Sequence, residues 1–133
     1  MSRGRRFLIF RLPLLLYLLL IFYMSSGPIT SPFLKSFSDY ILHMTEYCGL
    51  YLLMFRALHE GSQPLPRRGG YWLAMVLTIL YGISDELHQS FVPTRDCSVV
   101  DVLSDSVGAV LGILALVVFE RVISSWRTRA SLE

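Results

Sequence analysis

The residues best suited to chemistry are carboxylates and histidines spaced at helical intervals. Asp39, His43 and Glu46 follow an i, i+4, i+7 pattern, which places them on one face of a helix. A second group lies in one short stretch and consists of Asp85, Glu86, His88 and Gln89. Side chains of these types can exchange protons near neutral pH, ligate a divalent cation or bind a charged ligand.

A third stretch combines carboxylates with glycines. Asp101, Asp105, Gly108 and Gly112 fall along one line of a helix, at spacings of four, three and four residues. The Gly-x-x-x-Gly half of this line allows a neighbouring helix to approach closely. We therefore expect Gly108 and Gly112 to pack against another helix and to turn Asp101 and Asp105 inward.

The composition indicates which elements must position these side chains. Of the 133 residues 53% are hydrophobic and only 17% are charged, whereas soluble domains carry about 25% charged residues. Two cysteines are too few for a disulfide scaffold, and the apolar content argues against disorder. The net charge of +2 gives no indication of nucleic-acid binding. The remaining class is an all-α membrane protein with one domain over residues 1–133.

Four apolar windows are long enough to span a bilayer, which takes about 17–25 residues. They cover residues 7–24, 40–58, 71–92 and 99–123. Short connections make consecutive helices antiparallel, so the windows predict a four-helix transmembrane bundle. The basic start of the first window also fits a signal peptide. Because Pro28 would directly follow the cleavage site, we expect this helix to be retained.

The charges predict an orientation for this bundle. Ten of the twelve basic residues fall on the side of both termini, and only Lys35 and Arg95 fall on the other. The positive-inside rule therefore places both termini in the cytoplasm. Seven of the ten acidic residues lie toward the opposite, outer face.

Three of the outer carboxylates are expected at a similar depth. Glu46, Asp85 and Asp105 lie six or seven residues inside their windows, which corresponds to roughly 10 Å along a helix. A charge facing lipid costs about 2.5–3.5 kcal/mol, so these groups are expected to face a shared interior site. The first window offers no comparable polar residue and is expected to close the bundle.

The stretch from Asp85 to Arg95 resembles the signature of the VanZ-like family of small membrane proteins. That signature reads Asp-Glu-x-His-Gln, then an apolar residue and Pro-x-Arg. The resemblance extends from Asp39 to Gly112 through the earlier Asp, His and Glu-Tyr positions and the later Asp and glycine positions. This chain departs from the pattern at three positions, which are Tyr40, Thr94 and Asp105.

The resemblance implies a small polytopic bacterial membrane protein whose founding relative is associated with resistance to the glycopeptide teicoplanin. It implies no defined reaction. The residues themselves leave three interpretations open, and the first is binding of a cell-envelope or lipid-linked ligand. In that case His43, Gln89, Arg95, Asp101 and Asp105 would contribute to the binding site. Arg95 could hold a phosphate or carboxylate bidentately.

The second interpretation is a membrane-embedded enzyme acting on a lipid-linked envelope substrate. Its acid–base residues would be Glu46, Asp85, Glu86 and His88. The third is a divalent metal site, since His43 and Glu46, like Asp85 and His88, lie one helical turn apart. No motif specifies a metal, so no cofactor is predicted. The expected partners are the lipid bilayer and an envelope ligand.

Overall fold

The computed structural model describes residues 1–28, 39–60, 67–93, 95 and 97–130, without the side chains of residues 60, 129 and 130. This part of the chain is helical and contains no strand. Its four long helices are α1 (Arg3–Ser25), α2 (Asp39–Glu60), α3 (Arg67–Gln89) and α4 (Val99–Ala130). The predictions for Lys35 and Thr94 fall outside the described residues.

The first helix is continuous but widens near its start. Residues Phe7–Arg11 form a π turn, and the α-helical part Leu12–Ser25 follows with Pro13 in its first turn. Proline has no N–H to donate to the carbonyl four residues earlier, which explains a wider turn at this point. The helix also starts four residues before the predicted window of 7–24.

The third helix begins and ends earlier than its predicted window of 71–92. After Gln89 the hydrogen bonds tighten, because the N–H groups of Phe91 and Val92 bond to carbonyls three residues back. Pro93 then disfavours helical geometry at Val92. Asp85 is consequently four residues from the end of its helix rather than the predicted seven.

The second helix is central to the packing. It contacts each of the other three helices, most extensively α4. Two buried apolar clusters form along it, one around Tyr51 and Phe55 and the other around Tyr47 and Leu50. Ile21 of α1 belongs to the second cluster, so the first helix is packed into the fold.

Close approach of α4 to α2 depends on two glycines. A methyl group on Gly108 would collide with the backbone carbonyl of Met44, lying 3.0 Å from its carbon. A methyl group on Gly112 would lie 2.7 Å from the ring of Tyr51. The helices therefore approach backbone to backbone, as small residues at helix interfaces permit. Asp101 and Asp105, on the same line of α4, are buried.

Among the described residues, two helices are long and apolar enough to cross a membrane, Arg3–Ser25 and Val99–Thr128. Both carry large exposed apolar side chains, including Leu16, Leu19 and Phe119. Extensive exposed apolar surface of this kind suits contact with lipid. The helices α2 and α3 are interrupted by the charged residues that form the candidate site, which lowers their mean hydropathy.

Candidate functional site

A cavity of about 260 Å³ opens between α1, α2 and α3, near the start of α2 and the end of α3. We call it the acidic cavity. Its charged and polar lining includes Asp39, His43, Glu46, Asp85, Gln89, Arg95 and Ser25. Leu20, Met24 and Leu42 supply apolar wall. The structure thus gathers side chains from three helices and one connecting segment around a single space.

Asp85 is the most extensively bonded carboxylate of this cavity. Its Oδ2 accepts a hydrogen bond from the Ser25 hydroxyl at 2.8 Å and another from the Gln89 side-chain amide at 3.0 Å. All three residues are buried. Bonds to a carboxylate are stronger than neutral ones, so Ser25 and Gln89 fix the position of Asp85 and tie α1 to α3.

His43 links the cavity to the fourth helix. Its Nδ1 lies 2.8 Å from Oδ1 of Asp105, whose side chain is only 1% exposed. The other oxygen, Oδ2 of Asp105, has no hydrogen-bond partner among the described residues and would lie 2.7 Å from a methyl group on Gly82. A larger residue at Gly82 would therefore press on Asp105. The small residue on α3 makes room for the His43–Asp105 pair.

Glu86 points away from the acidic cavity and toward the start of α4. Its Oε2 accepts a hydrogen bond from the backbone N–H of Ser98 at 2.9 Å, immediately before α4 begins. The Ser98 hydroxyl in turn accepts from the N–H of Val100. Free N–H groups at a helix start favour a nearby carboxylate. Glu86 therefore holds the beginning of α4 in place.

His88 also lies outside the cavity lining. Its ring stacks on Phe22 with centroids 4.5 Å apart, and its Nε2 lies 3.1 Å from the hydroxyl of Ser26. Asp101 is likewise absent from the lining, although it is buried. Of the four residues expected to act as acid or base, Glu46 and Asp85 share the cavity, whereas Glu86 and His88 contact other elements.

Arg95 lines the cavity but its guanidinium is engaged with backbone. Its Nε donates to the carbonyl of Gly27 at 3.0 Å, and a terminal nitrogen donates to the carbonyl of Met24 at 2.8 Å. Basic side chains often satisfy the last carbonyls of a helix in this way. The arginine thus secures the end of α1 to the segment between α3 and α4.

Two contributions of α1 were missing from the sequence interpretation. The predicted window ends at residue 24, but the helix extends to Ser25, whose hydroxyl donates to Asp85. Tyr17 donates its hydroxyl to the backbone carbonyl of Glu46 at 3.1 Å. The first helix therefore supplies two hydroxyl groups to the site, although its predicted window of 7–24 contains no carboxylate or histidine. A polar residue ending a long apolar run is a signal that could have indicated Ser25.

Asp39, His43 and Asp101 could hold a metal ion, because their ligand atoms lie within 4.8 Å of one another. Two carboxylates and an imidazole suit a divalent cation such as Mn²⁺ or Zn²⁺. Since Nδ1 of His43 contacts Asp105, the Nε2 atom would bind the metal, with Asp105 orienting the ring. The predicted pairing through Asp85 and His88 does not contribute to this group.

The comparison with protein families matches most of the chain. The VanZ/LLP1 family model matches residues 10–120, a range that runs from the first turns of α1 to Glu120 in α4. No curated protein and no solved structure matches the chain. The matched range includes every residue of the acidic cavity.

Proposed function

The chain belongs to the VanZ/LLP1 family, and on this premise we propose that it is a bacterial inner-membrane protein that binds a cell-envelope ligand in the acidic cavity. In this proposal all four helices span the membrane, both termini are cytoplasmic, and the cavity opens toward the outer face. The one-sided distribution of basic residues supports this orientation.

The observation that carries the proposal is the charge of the cavity lining. Three carboxylates line it, those of Asp39, Glu46 and Asp85. The only arginine of the described lining donates to backbone carbonyls. Such a cavity favours a cationic group, for example the amino group of a lipid-linked or peptide ligand. Ligand pockets usually measure about 300–1,000 Å³, so a cavity of about 260 Å³ suits one head group.

A direct test compares ligand binding by purified wild type with that of Asp85→Asn and Glu46→Gln. Glu120→Gln serves as the control, because it removes a carboxylate from the far end of α4. The probe is a lipid-linked peptidoglycan precursor carrying a free amino group, and its acetylated form tests the charge. We expect both cavity variants to bind the precursor at least about tenfold more weakly, a loss of roughly 1.4 kcal/mol. Equal binding by all four proteins would contradict the proposal.

The biological role that we propose is an effect on glycopeptide susceptibility, teicoplanin in particular. Cells with matched membrane levels of wild type or Asp85→Asn would be compared for the teicoplanin concentration that stops growth. We expect wild type to raise this concentration and Asp85→Asn to abolish the increase. An Asp85→Asn strain as protected as the wild type would count against a role for the cavity.

Catalysis is the second candidate, and one contact favours it. The Ser25 hydroxyl donates to Asp85 at 2.8 Å, which is the arrangement of a nucleophile beside a general base. The same binding reactions distinguish the two functions if the lipid is recovered and its mass measured. An unchanged lipid supports binding alone. A product formed by wild type and absent with Ser25→Ala would support an enzyme.

A further inference from the structure

A second, larger cavity lies at the opposite end of the molecule from the acidic cavity. It measures about 880 Å³ and opens between the last turns of α2, the start of α3 and the second half of α4. We call it the basic cavity, because arginines from all three helices line it. These arginines are Arg56, Arg67 and Arg127.

The charges in the basic cavity are unbalanced. Glu120 is the only acidic residue of the described lining. It is already bonded to Arg67 at 3.0 Å and to the hydroxyl of Tyr71 at 2.8 Å. Among the described residues no carboxylate pairs with Arg56 or Arg127. The guanidinium of Arg56 lies 5.1 Å from the ring centroid of Phe10, a contact that leaves its N–H edge available.

The remaining lining of the basic cavity is mostly apolar. Besides His59 and Ser124, it comprises Leu52, Phe55, Ala115, Leu116, Phe119 and Ile123. Phe119 is 62% exposed, so this apolar wall continues onto the outer surface of α4. We assign this outer surface of α4 to contact with lipid. A ligand here would meet cationic groups at one end and a hydrocarbon surface along its length.

We propose that the basic cavity binds an anionic phospholipid of the cytoplasmic leaflet, with its phosphate between Arg56 and Arg127 and an acyl chain along Phe119. The two arginines supply donors that match phosphate oxygens, and basic pockets between helices on the cytoplasmic side suit acidic head groups. The volume suits a head group with the first part of a chain. The assignment to the cytoplasmic leaflet rests on the orientation given under Proposed function.

The test measures lipid binding to the full-length protein in detergent, by native mass spectrometry. The probes are dioleoyl phosphatidylglycerol and dioleoyl phosphatidylcholine, which share acyl chains and differ in net charge. The variants are Arg56→Gln and Arg127→Gln. Arg121→Gln is the matched control, since it removes the same charge from α4 but does not line the cavity. A variant with both lining substitutions measures whether the two arginines act together.

We expect phosphatidylglycerol to bind more tightly than phosphatidylcholine. Each lining substitution should weaken phosphatidylglycerol binding about fivefold, the effect of roughly 1 kcal/mol per basic residue. The double variant should lose about 25-fold if the contributions add, and Arg121→Gln less than about twofold. Equal binding of the two lipids, or equal losses at Arg121 and Arg127, would overturn the proposal. Displacement of the lipid by inorganic phosphate alone would also overturn it, because the acyl chain would then contribute nothing.

These outcomes are separable from those of the acidic cavity. Binding in detergent does not depend on the orientation of the protein, and Asp85→Asn should bind phosphatidylglycerol as the wild type does. Conversely, Arg56→Gln should bind the envelope ligand normally. A failure of one cavity therefore leaves the result for the other unaffected.

Discussion

The acidic and basic cavities lie at opposite ends of α2 and α3, and they differ in how their charged side chains are bonded. At the acidic end, two carboxylates are buried and bonded to partners on other helices, Asp85 to Ser25 and Asp105 to His43. At the basic end, the arginines remain accessible, and the side chain of Arg67 is 59% exposed even in its ion pair. Asp85 and Asp105 thus stabilise the packing of the helices, whereas the arginines of the basic end are held by fewer contacts.

This difference has a physical reason. A buried carboxylate is strongly penalised unless it is bonded, so the buried positions of Asp85 and Asp105 depend on donors from neighbouring helices. A long arginine can keep its charged group in the interface while its stem covers apolar surface. We therefore expect substitutions of the buried carboxylates at the acidic end to reduce stability, and substitutions at the basic end to change binding with little loss of stability.

The largest effect on stability is expected for Asp105→Ala. The substitution leaves His43 buried without its partner, and breaking a buried pair costs about 3–5 kcal/mol. Asp39→Ala is the matched control, because Asp39 is exposed at the first turn of α2 and should cost below about 1 kcal/mol. The free energy of unfolding would be measured by denaturant titration in mixed micelles. Equal losses in the two variants would remove the contrast between buried and exposed carboxylates.

A smaller effect is expected for Gly108→Ala, which places a methyl group against the backbone of α2. Overpacking of this kind typically costs about 1–3 kcal/mol. At Gly69, near the start of α3, an added methyl group meets nothing within 4 Å. The control Gly69→Ala should be neutral or slightly stabilising, because alanine is the better helix former. The same micelle titration applies, and a Gly108→Ala variant as stable as wild type would show that α2 and α4 are not closely packed there.

Ser25→Ala should reduce stability by about 1.5–3 kcal/mol, the range for a hydrogen bond to a charged group. Ser26→Ala is the control one residue later, where the exposed hydroxyl bonds to the carbonyl of Phe22 and lies 3.1 Å from Nε2 of His88. Its loss should be smaller, below about 1 kcal/mol. If Ser26→Ala lost more stability than Ser25→Ala, the hydrogen bond between Ser25 and Asp85 would not be what stabilises the fold here.

The smallest effect is expected for Arg67→Gln at the basic end. Its ion pair with Glu120 joins side chains that are 59% and 25% exposed. Exposed pairs of this kind contribute about 0–1 kcal/mol, and less at high salt. Unfolding titrations at low and high ionic strength would measure the loss of stability and its dependence on salt. A loss comparable to that of Asp105→Ala would show that charged residues stabilise the fold at both ends of the molecule.

The sequence alone indicates the helical fold and much of the acidic cavity. Periodicity places Asp39, His43 and Glu46 on one face, and all three line the cavity. The periodicity is less informative around Asp85. Viewed along the helix axis, Gln89 lies about 40° from Asp85 on one side and His88 lies about 60° from it on the other. This small difference suffices for Gln89 to bond to Asp85 while His88 stacks on Phe22.

The remaining features depend on contacts between helices, which a periodic pattern does not specify. Glu86 is rotated by about 100° from Asp85 and meets the start of α4 rather than the cavity. Ser25 reaches Asp85 only because α1 packs beside α3, at a separation of sixty residues in the chain. The basic cavity likewise requires the ends of three helices to come together. The end of the apolar run marks Ser25, but no local pattern specifies its contact with Asp85, the position of Glu86 or the basic cavity.

We propose that the acidic cavity faces outward and the basic cavity faces the cytoplasm, and labelling of Cys97 measures this orientation. Cys97 is an exposed free cysteine in the segment between α3 and α4, and Cys48→Ser removes the other cysteine. Intact cells would be treated with a membrane-impermeant maleimide, and Ser125→Cys in a cysteine-free chain would report on the opposite end. We predict that Cys97 is labelled in intact cells and that Ser125→Cys is labelled only after permeabilisation. The reverse labelling pattern would show that the acidic cavity faces the cytoplasm and would contradict the proposed orientation.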